Sequence, residues 1–174
     1  GPLQVQDEVS LELSRKVSDT WDAMGFADKW GSGDIQRRVV KDLIIDNGRG
    51  GRHHGGGYYD YNEDGTKNIW PGLFELYYDK NAEILDDDIK DRLMFRQVIE
   101  TLKCYETGVL NSVADGNIGS IMGIGAPVHT GGFLQFVNTY GLEAFITRSG
   151  ELAAKYGDRF ACPDPFPAHH AGNF

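Results

Sequence analysis

The residues best suited to chemistry lie in one glycine-rich stretch, NGRGGRHHGGGYYDY, at positions 47–61. Glycine clusters can hold a phosphate group, but a dinucleotide loop needs the spacing GxGxxG. Counted from Gly48 the last glycine would fall on His53, and counted from Gly123 it would fall on Val128. The chain also contains no GxxxxGKS or GxxxxGKT sequence. We therefore predict no nucleotide loop in this chain, and we assign the glycines to left-handed turns and close packing.

The histidines raise two further kinds of site, a metal centre and a general base. His53 and His54 are adjacent, so their side chains point apart, and no further ligands follow at a familiar metal-binding spacing. The same holds for His169 and His170. His129 would need an orienting acid to act as a base, and the sequence places none beside it. We therefore predict no metal site and a structural role for His129.

Arg49 and Arg52 are the local concentration of positive charge in a chain of net charge −9. An acidic surface repels phosphate backbones, which argues against nucleic-acid binding. A polyanionic ligand would need a local basic site to overcome the same field. We favour a solvated turn for the two arginines over contact with an anionic group. An anion-binding site between Gly48 and Tyr58 stays open as the alternative.

The cysteines and serines suggest no nucleophile. Cys104 and Cys162 lie in different predicted contexts, so they indicate neither a disulfide framework nor a metal knuckle, and a reducing compartment is the default. Cys104 stands inside an apolar helical pattern and is predicted to be core. No serine or cysteine stands in a nucleophile-elbow context, and no apolar run approaches the roughly 18 residues that cross a bilayer. The residues alone indicate a helical module without catalytic machinery.

Apolar residues recur every four positions between Leu3 and Met24, which predicts one helix closed by Gly25. The members of its apolar face are Val5, Val9, Leu13, Val17 and Trp21.

A glycine-rich link leads to a second predicted helix, with Asp34 as its cap and Gly48 at its end. The sequences GYYDY and KNIW, joined by the turn NEDG, then predict a small β-hairpin near 57–70. LFELYYDK predicts one or two further helical turns. One face of the second helix carries Ile35, Val39 and Leu43.

The second half of the chain is predicted to be helical. A long helix begins with Asp86 as its cap and ends at Gly108, and a short helix follows with Ser112 as its cap. After the loop GIGAPVHTGG, the last helix ends at Gly157, and a proline-rich extended tail follows. The apolar pattern of the long helix comprises Phe95, Val98, Leu102, Tyr105 and Val109.

The first residues of the chain, GPLQVQDEVSLEL, are similar to GFLQFVNTYGLEA at residue 132, an offset of 131. The second copy follows the long helical pattern from Asp86, whereas no such pattern precedes the first. We interpret the similarity as two repeats, the first beginning in its middle. A Gly-Pro remnant of tag removal and chance similarity of two amphipathic helices are the alternatives. The identical pairs are Gly1/Gly132, Leu3/Leu134, Gln4/Gln135, Leu11/Leu142 and Glu12/Glu143, and Asp7 stands opposite Asn138.

These stretches resemble a known family. The sequence VVKDLIIDNGRGGRHHGGGYYDYNEDGTKNIWPGL resembles the part of 3-hydroxyacyl-CoA dehydrogenases in which a helix leads into G-(K/R)-x-x-G-x-G-(F/Y)-Y-x-Y. DRLMFRQVIETLKCYETGVLNSVADGNIGSIMGIGAPVHTGGFLQFVNTYG looks like the second C-terminal repeat of multifunctional fatty-acid oxidation enzymes. GPLQVQDEVSLEL is similar to the Gly-Pro-(Phe/Leu)-x-x-x-Asp motif of the first repeat. The residues that match the glycine-tyrosine motif are Gly51, Arg52, Gly55, Gly57, Tyr58, Tyr59 and Tyr61.

The resemblance covers nearly the whole chain and implies its fold. That fold is mainly α, with helical repeats of the 6-phosphogluconate dehydrogenase C-terminal-like type and the one β-hairpin near 57–70. The implied organisation is a truncated first repeat at 1–80, a second repeat at 81–160 and an extended tail at 161–174.

The resemblance also limits the chemistry. In the family, the catalytic His and its partner Glu belong to a dinucleotide-binding domain that holds NAD, and this sequence does not contain that domain. The first repeat's active-site Asn lies on a helix that is missing here, while Asp91, Arg92 and Leu93 stand at the matching place of the second repeat. The chain alone is therefore expected to carry no catalytic, cofactor or metal residue, and neither to bind NAD nor to transfer hydride. The implied substrate-adjacent positions are Arg49, Arg52, Gly55, Gly57 and Tyr58.

The implied function is the C-terminal helical part, for cleft closure and dimer-like packing, of an NAD-dependent L-3-hydroxyacyl-CoA dehydrogenase in fatty-acid β-oxidation. The implied partners are the dinucleotide-binding and hydratase domains of the parent, acyl-CoA and a thiolase subunit. The compartment would be the cytoplasm in bacteria, and mitochondria or peroxisomes in eukaryotes. The missing helix is expected to uncover Val5, Val9 and Leu13 and to cause self-association through that face. The alternative is a free-standing helical interaction module.

Overall fold

The computed structural model describes residues 1–26 and 33–163. They fall into two compact units, one within Gly1–Ala82 (unit 1) and one within Glu83–Phe174 (unit 2). The predicted glycine-rich link falls mostly outside the described residues, and so does the predicted tail from residue 164 onward, with His169 and His170.

The prediction of a mainly α fold with one small hairpin is confirmed. Unit 1 contains four described helices and one two-stranded antiparallel sheet, and α3 continues into a π-helical turn, Lys41–Ile45. The predicted cap Asp34 lies inside α3, and its side chain is outside the described residues. The elements are α1 Pro2–Val9, α2 Leu11–Ala23, α3 Gly33–Val40, β1 Tyr59–Tyr61, β2 Lys67–Ile69 and α4 Gly72–Tyr77.

The predicted single helix from Leu3 to Met24 is wrong, because the chain breaks at Ser10 into α1 and α2. Ser10 has φ 85° and ψ 124°, and it is the one non-glycine residue with positive φ in the described chain. Its Oγ donates to the Gly50 carbonyl (3.1 Å) and accepts from the Glu12 amide (3.2 Å). These bonds to a distant loop and to the start of α2 hold a conformation that helix propensity disfavours.

The break leaves the apolar residues of α1 and the first turns of α2 in solvent. We define the α1–α2 face as Leu3, Val5, Val9, Leu13 and Val17, which are exposed by 39–59%. Among the described residues of the unit, the buried apolar ones lie elsewhere, at Leu11, Val40 and Leu43.

Unit 2 contains four described helices and two short 3-10 turns. Ser112 caps α6 as predicted, because its Oγ accepts from the Asp115 amide at 3.1 Å. The predicted cap Asp86 is instead the first residue of α5, after Leu85, so that three aspartates occupy the first turn. The elements are α5 Asp86–Glu106, α6 Val113–Ile124, the turn Val128–Thr130, α7 Phe133–Tyr140, α8 Leu142–Tyr156 and the turn Asp158–Phe160.

An aromatic cluster forms the centre of unit 2. Phe95 of α5 is fully buried and stacks on Phe145 of α8, with ring centroids 4.5 Å apart and planes inclined by 16°. Its ring also meets Phe136 (6.0 Å) and Tyr140 (5.1 Å) of α7 edge-on. Val98 and Leu102 are fully buried as predicted, but Val109 lies beyond the end of α5 and is 70% exposed.

The two similar stretches have matching local structure. Shifted by 131 residues, α1 (Pro2–Val9) coincides with α7 (Phe133–Tyr140), and α2 begins where α8 begins. Gly141 joins α7 to α8 with φ 92° and ψ 123°, nearly the values of Ser10. Both copies therefore place the same positive-φ joint between two helices.

Substitutions at this joint should separate its backbone strain from its hydrogen bonds. Ser10→Gly and Ser10→Ala both remove the hydroxyl, but only alanine keeps a Cβ at positive φ. We expect the alanine variant to unfold more easily than the glycine variant by about 1–3 kcal/mol. Urea denaturation of the two proteins checks this expectation, and equal midpoints would contradict it.

Candidate functional site

The glycine-rich loop and the hairpin of unit 1 form one structure. Gly51 and Gly56 exchange backbone hydrogen bonds of 2.9 and 3.1 Å, which folds the loop back on itself before the first strand. The strands then pair antiparallel, with Tyr59 opposite Ile69 and Tyr61 opposite Lys67. Most of the sequence-predicted site residues are carried by this loop and hairpin.

Asp7 of α1 anchors the hairpin. The residue is 1% exposed, and its carboxylate accepts from the Tyr58 amide (2.8 Å), the Tyr59 amide (3.0 Å) and the Tyr61 hydroxyl (3.0 Å). Bonds from neutral donors to a charged acceptor are stronger than neutral pairs. Burial, then the bond to Asp7, raises the pKa of the Tyr61 phenol to about 12, so that hydroxyl stays a donor at neutral pH.

Gly57 is required by the position of Asp7. A Cβ built on Gly57 would lie 2.0 Å from Asp7 Oδ1 and 2.5 Å from its Cγ. The carboxylate can therefore bind the Tyr58 and Tyr59 amides only if residue 57 has no side chain.

Arg49 is not the solvated-turn residue that we favoured. It is 8% exposed, and its guanidinium donates to the carbonyls of Gly57 (2.7 Å) and Tyr59 (2.9 Å). It also pairs with Asp60 (2.6 Å) and lies 4.4 Å from the centroid of the Trp70 ring. The anionic group that it contacts belongs to the chain itself, so Arg49 shapes the hairpin.

Of the five predicted positions, Arg52 and Gly55 are exposed. Arg52 pairs with Glu8 at 2.6 Å and approaches the Tyr61 ring to 5.2 Å. Tyr58 is half-buried, and burial raises the pKa of its phenol. The structure thus brings the five predicted positions together on one loop, three inside the hairpin's contacts and two facing solvent.

The residues that sequence reasoning missed are Asp7 as the anchor, Asp60 as the partner of Arg49, and Trp70 as its ring neighbour. Asp7 had two signals, its place opposite Asn138 in the repeat and its match to the Asp of the Gly-Pro-(Phe/Leu)-x-x-x-Asp motif. Asp60 and Trp70 had no comparable signal, because their contacts with Arg49 arise only when the hairpin closes.

A second polar cluster ties α5 to α8 in unit 2. Asp88 is 3% exposed and accepts from Arg148, Lys155 and Tyr156, each at 2.6 Å. Arg148 also reaches Asp91 (2.7 Å) and Glu151 (3.0 Å). All of these charged groups belong to unit 2 and pair with each other. The cluster is therefore a structural clamp between α5 and α8.

Acid should weaken this clamp. Hydrogen bonds from Lys155, Tyr156 and Arg148 hold the pKa of Asp88 well below its usual value of 3.8. A carboxyl with a lowered folded pKa contributes stability above its unfolded pKa, and that stability is lost as the pH falls from about 4 toward the folded value. Asp88→Asn should remove this part of the pH dependence. Urea midpoints of both proteins at about pH 6 and about pH 3 check it; an equal acid-induced drop in the two would contradict it.

The remaining predicted candidates form no site in the described chain. His129 is exposed in the turn Val128–Thr130, and no described carboxylate lies within hydrogen-bond distance of it. Among residues 1–26 and 33–163, no three His, Cys, Asp or Glu side chains form a group that could hold a metal ion. No helix in the same ranges is both long and apolar enough to span a bilayer.

Known proteins match almost the whole chain. The fatty acid oxidation complex subunit alpha of Vibrio parahaemolyticus is 30% identical over 162 residues, which is 92% of this chain and 22% of that protein. The subunits of the same name from Vibrio vulnificus and Vibrio campbellii are 31% and 30% identical with the same coverage. No protein-family model matches the chain. The chain therefore spans about a fifth of the length of these relatives. Across 92% of its own length, the chain is a homologue of fatty acid oxidation complex alpha subunits.

Proposed function

We propose that this chain is the helical part of an NAD-dependent L-3-hydroxyacyl-CoA dehydrogenase of fatty-acid β-oxidation. The observation that carries the proposal is the 162-residue similarity to fatty acid oxidation complex alpha subunits. The glycine-tyrosine motif supports the dehydrogenase step in particular, because it resembles the motif of 3-hydroxyacyl-CoA dehydrogenases, and its residues fold into one anchored hairpin. In the longer parent, a separate domain would bind NAD, and NAD would be the hydride acceptor.

The chain's own residues would position groups around the substrate and would not react with it. Arg49, Gly57 and Asp7 hold the hairpin, and Arg49 has its charge paired with Asp60, so it is unsuited to binding a phosphate. Arg52, Gly55 and Tyr58 would border the acyl-CoA, because Arg52 and Gly55 are exposed and Tyr58 is half-buried beside them on the same loop. The proposed partners are the parent's dinucleotide-binding and hydratase domains and a thiolase subunit. The proposed compartment is the bacterial cytoplasm, since the relatives above are bacterial.

The size and activity of the native protein test the proposal. An antibody to this chain should detect a polypeptide far larger than 19.3 kDa in the cells that make it. The immunoprecipitated protein should reduce NAD with an L-3-hydroxyacyl-CoA, whereas the isolated 174-residue chain should give no rate above the uncatalysed background. Absorbance of NADH at about 340 nm measures both reactions. A large polypeptide without this activity would contradict the dehydrogenase proposal.

The second candidate is a free-standing interaction module, which the exposed α1–α2 face favours. A module of this kind would appear at 19.3 kDa in the same blot and would be associated with another protein. In either case the isolated chain is expected to self-associate through the α1–α2 face, because large exposed apolar patches tend to form protein–protein contacts.

A further inference from the structure

Arg92 of α5 is held by an aromatic ring and makes no hydrogen bond to the described chain. Its guanidinium carbon lies 4.2 Å from the centroid of the Tyr156 ring of α8. A cation–ring contact of this kind leaves the five N–H donors of an arginine unused. Within residues 1–26 and 33–163, no carboxylate or carbonyl accepts a hydrogen bond from Arg92. The residue is half-buried, so its donors are partly withdrawn from water without a protein acceptor.

The acids that stand nearest to Arg92 along α5 are paired with other bases. A carboxylate four positions before an arginine is its usual partner on a helix, and here that residue is Asp88. Asp88 instead accepts from three side chains of α8, each at 2.6 Å. Asp91 accepts from Arg148 at 2.7 Å. Because α8 neutralises both acids, the positive charge of Arg92 remains uncompensated.

Arg96, one turn further along α5, offers further donors beside Arg92. Residues four positions apart on a helix have Cβ atoms about 5–6 Å apart on one face. Nη1 of Arg96 donates to Glu100 and, at 3.1 Å, to the carbonyl of Arg159 in the turn after α8. Its Nε and Nη2 donate to no residue that the structure describes. Glu100 also pairs with Lys103, so two cations share one carboxylate.

Both guanidiniums meet the same end of α8. Tyr156, which Arg92 contacts, is the last residue of that helix, and the Arg159 carbonyl, which Arg96 contacts, follows three positions later. The rings of Tyr156 and Phe160 lie edge-on there, with centroids 6.4 Å apart. Like charges four positions apart on a helix repel each other. An anion bound by both guanidiniums would therefore remove a repulsion as well as accept hydrogen bonds.

We propose that Arg92 and Arg96 form a binding site for the phosphoryl group of a small ligand. A carboxylate fills the fork of one guanidinium, whereas a phosphoryl group has enough oxygens to accept from two. The pairing of the neighbouring acids with α8 makes this a local basic site, which an anion needs on a chain of net charge −9. The inference goes beyond the proposed function and does not rest on it, because both arginines belong to unit 2 and the glycine-rich loop belongs to unit 1.

Nitrogen-15 NMR of the full chain tests the site, because the Nε–H signals report each arginine separately. Titration with inorganic phosphate at constant ionic strength should shift the Arg92 and Arg96 signals along one saturating curve. The Arg15 signal should not saturate, since that guanidinium is paired with Glu12 and Asp19. Coenzyme A, which carries phosphate esters, should bind more tightly than phosphate if the group belongs to a larger ligand, and no more tightly if free phosphate is the ligand. Sodium acetate should give no saturating curve.

Substitutions separate recognition by the guanidinium from simple attraction between charges. Arg92→Lys keeps the charge but loses the planar fork, and it should weaken phosphate binding at least about tenfold. Lys90→Gln removes an exposed cation two residues away and should change the binding less than about twofold. The amide signals of α7 and α8 report in each protein that unit 2 is folded. Unsaturated shifts with phosphate, equal binding of acetate, or undiminished binding in Arg92→Lys would each overturn the proposal.

Discussion

Phe95→Ala is expected to lower the free energy of unfolding of unit 2 by about 3–5 kcal/mol. The ring is fully buried and contacts Phe136, Tyr140 and Phe145, which belong to α7 and α8. Its removal leaves a cavity where three helices meet, and it deletes aromatic pairs that stabilise beyond their buried area. A domain of ordinary stability has about 5–15 kcal/mol in all. This variant should therefore be close to unfolded.

The measurement should resolve the two units separately, because one transition cannot be assumed for a chain with two compact parts. Hydrogen exchange followed by mass spectrometry reports α5, α7 and α8 independently of unit 1. Leu93→Ala, two residues away on α5 at a 50% exposed position, is the matched control and should cost well under about 1.5 kcal/mol. Equal losses from the two substitutions would contradict the central role of Phe95.

Gly57→Ala is expected to disorder the hairpin of unit 1 while unit 2 stays folded. The added methyl would lie 2.0 Å from Asp7 Oδ1, so the carboxylate must leave its place. It would then lose its bonds to the Tyr58 amide, the Tyr59 amide and the Tyr61 hydroxyl. Unsatisfied buried donors cost about 1–3 kcal/mol each, so we expect a loss of about 3 kcal/mol or more.

Tyrosine absorbance and near-ultraviolet circular dichroism measure this change, because three tyrosines surround Asp7. Gly150→Ala is the control, since a Cβ there meets nothing within 4 Å and the position lies inside α8. Alanine at that exposed helical position should be neutral or stabilising by up to about 1 kcal/mol. If Gly57→Ala leaves the tyrosine signals unchanged, Asp7 does not anchor the hairpin.

Periodicity and turn chemistry predicted the elements but not their tertiary roles. The hairpin, the Ser112 cap and the end of α8 at Gly157 each follow from a few neighbouring residues. The break at Ser10 does not, because the four-residue apolar spacing runs through it. Its signal was indirect: the repeat sets Ser10 opposite Gly141, and glycine is the usual residue at a positive φ.

The sequence predicted which loop carries the candidate site residues, but it did not predict that Arg49 is buried. Arginine among glycines is typical of a surface turn, and Arg52 does lie at the surface. Arg49 is buried because Asp60 and Trp70, 11 and 21 positions further along, close over it when the strands pair. Such a contact is set by the geometry of the hairpin, so a local pattern could not distinguish the two arginines.

The anchor of the hairpin also sets an order of events during synthesis. Asp7 is made before the groups that bind it, which are 51–54 residues further along the chain. At about 5–20 residues per second, the ribosome needs about 3–11 s to supply them. During that interval α1 cannot contact the hairpin, and the Asp7 carboxylate remains hydrated. A translational pause between codons 8 and 57 would lengthen the interval, whereas a pause after codon 61 would give unit 1 time to close before unit 2 is made.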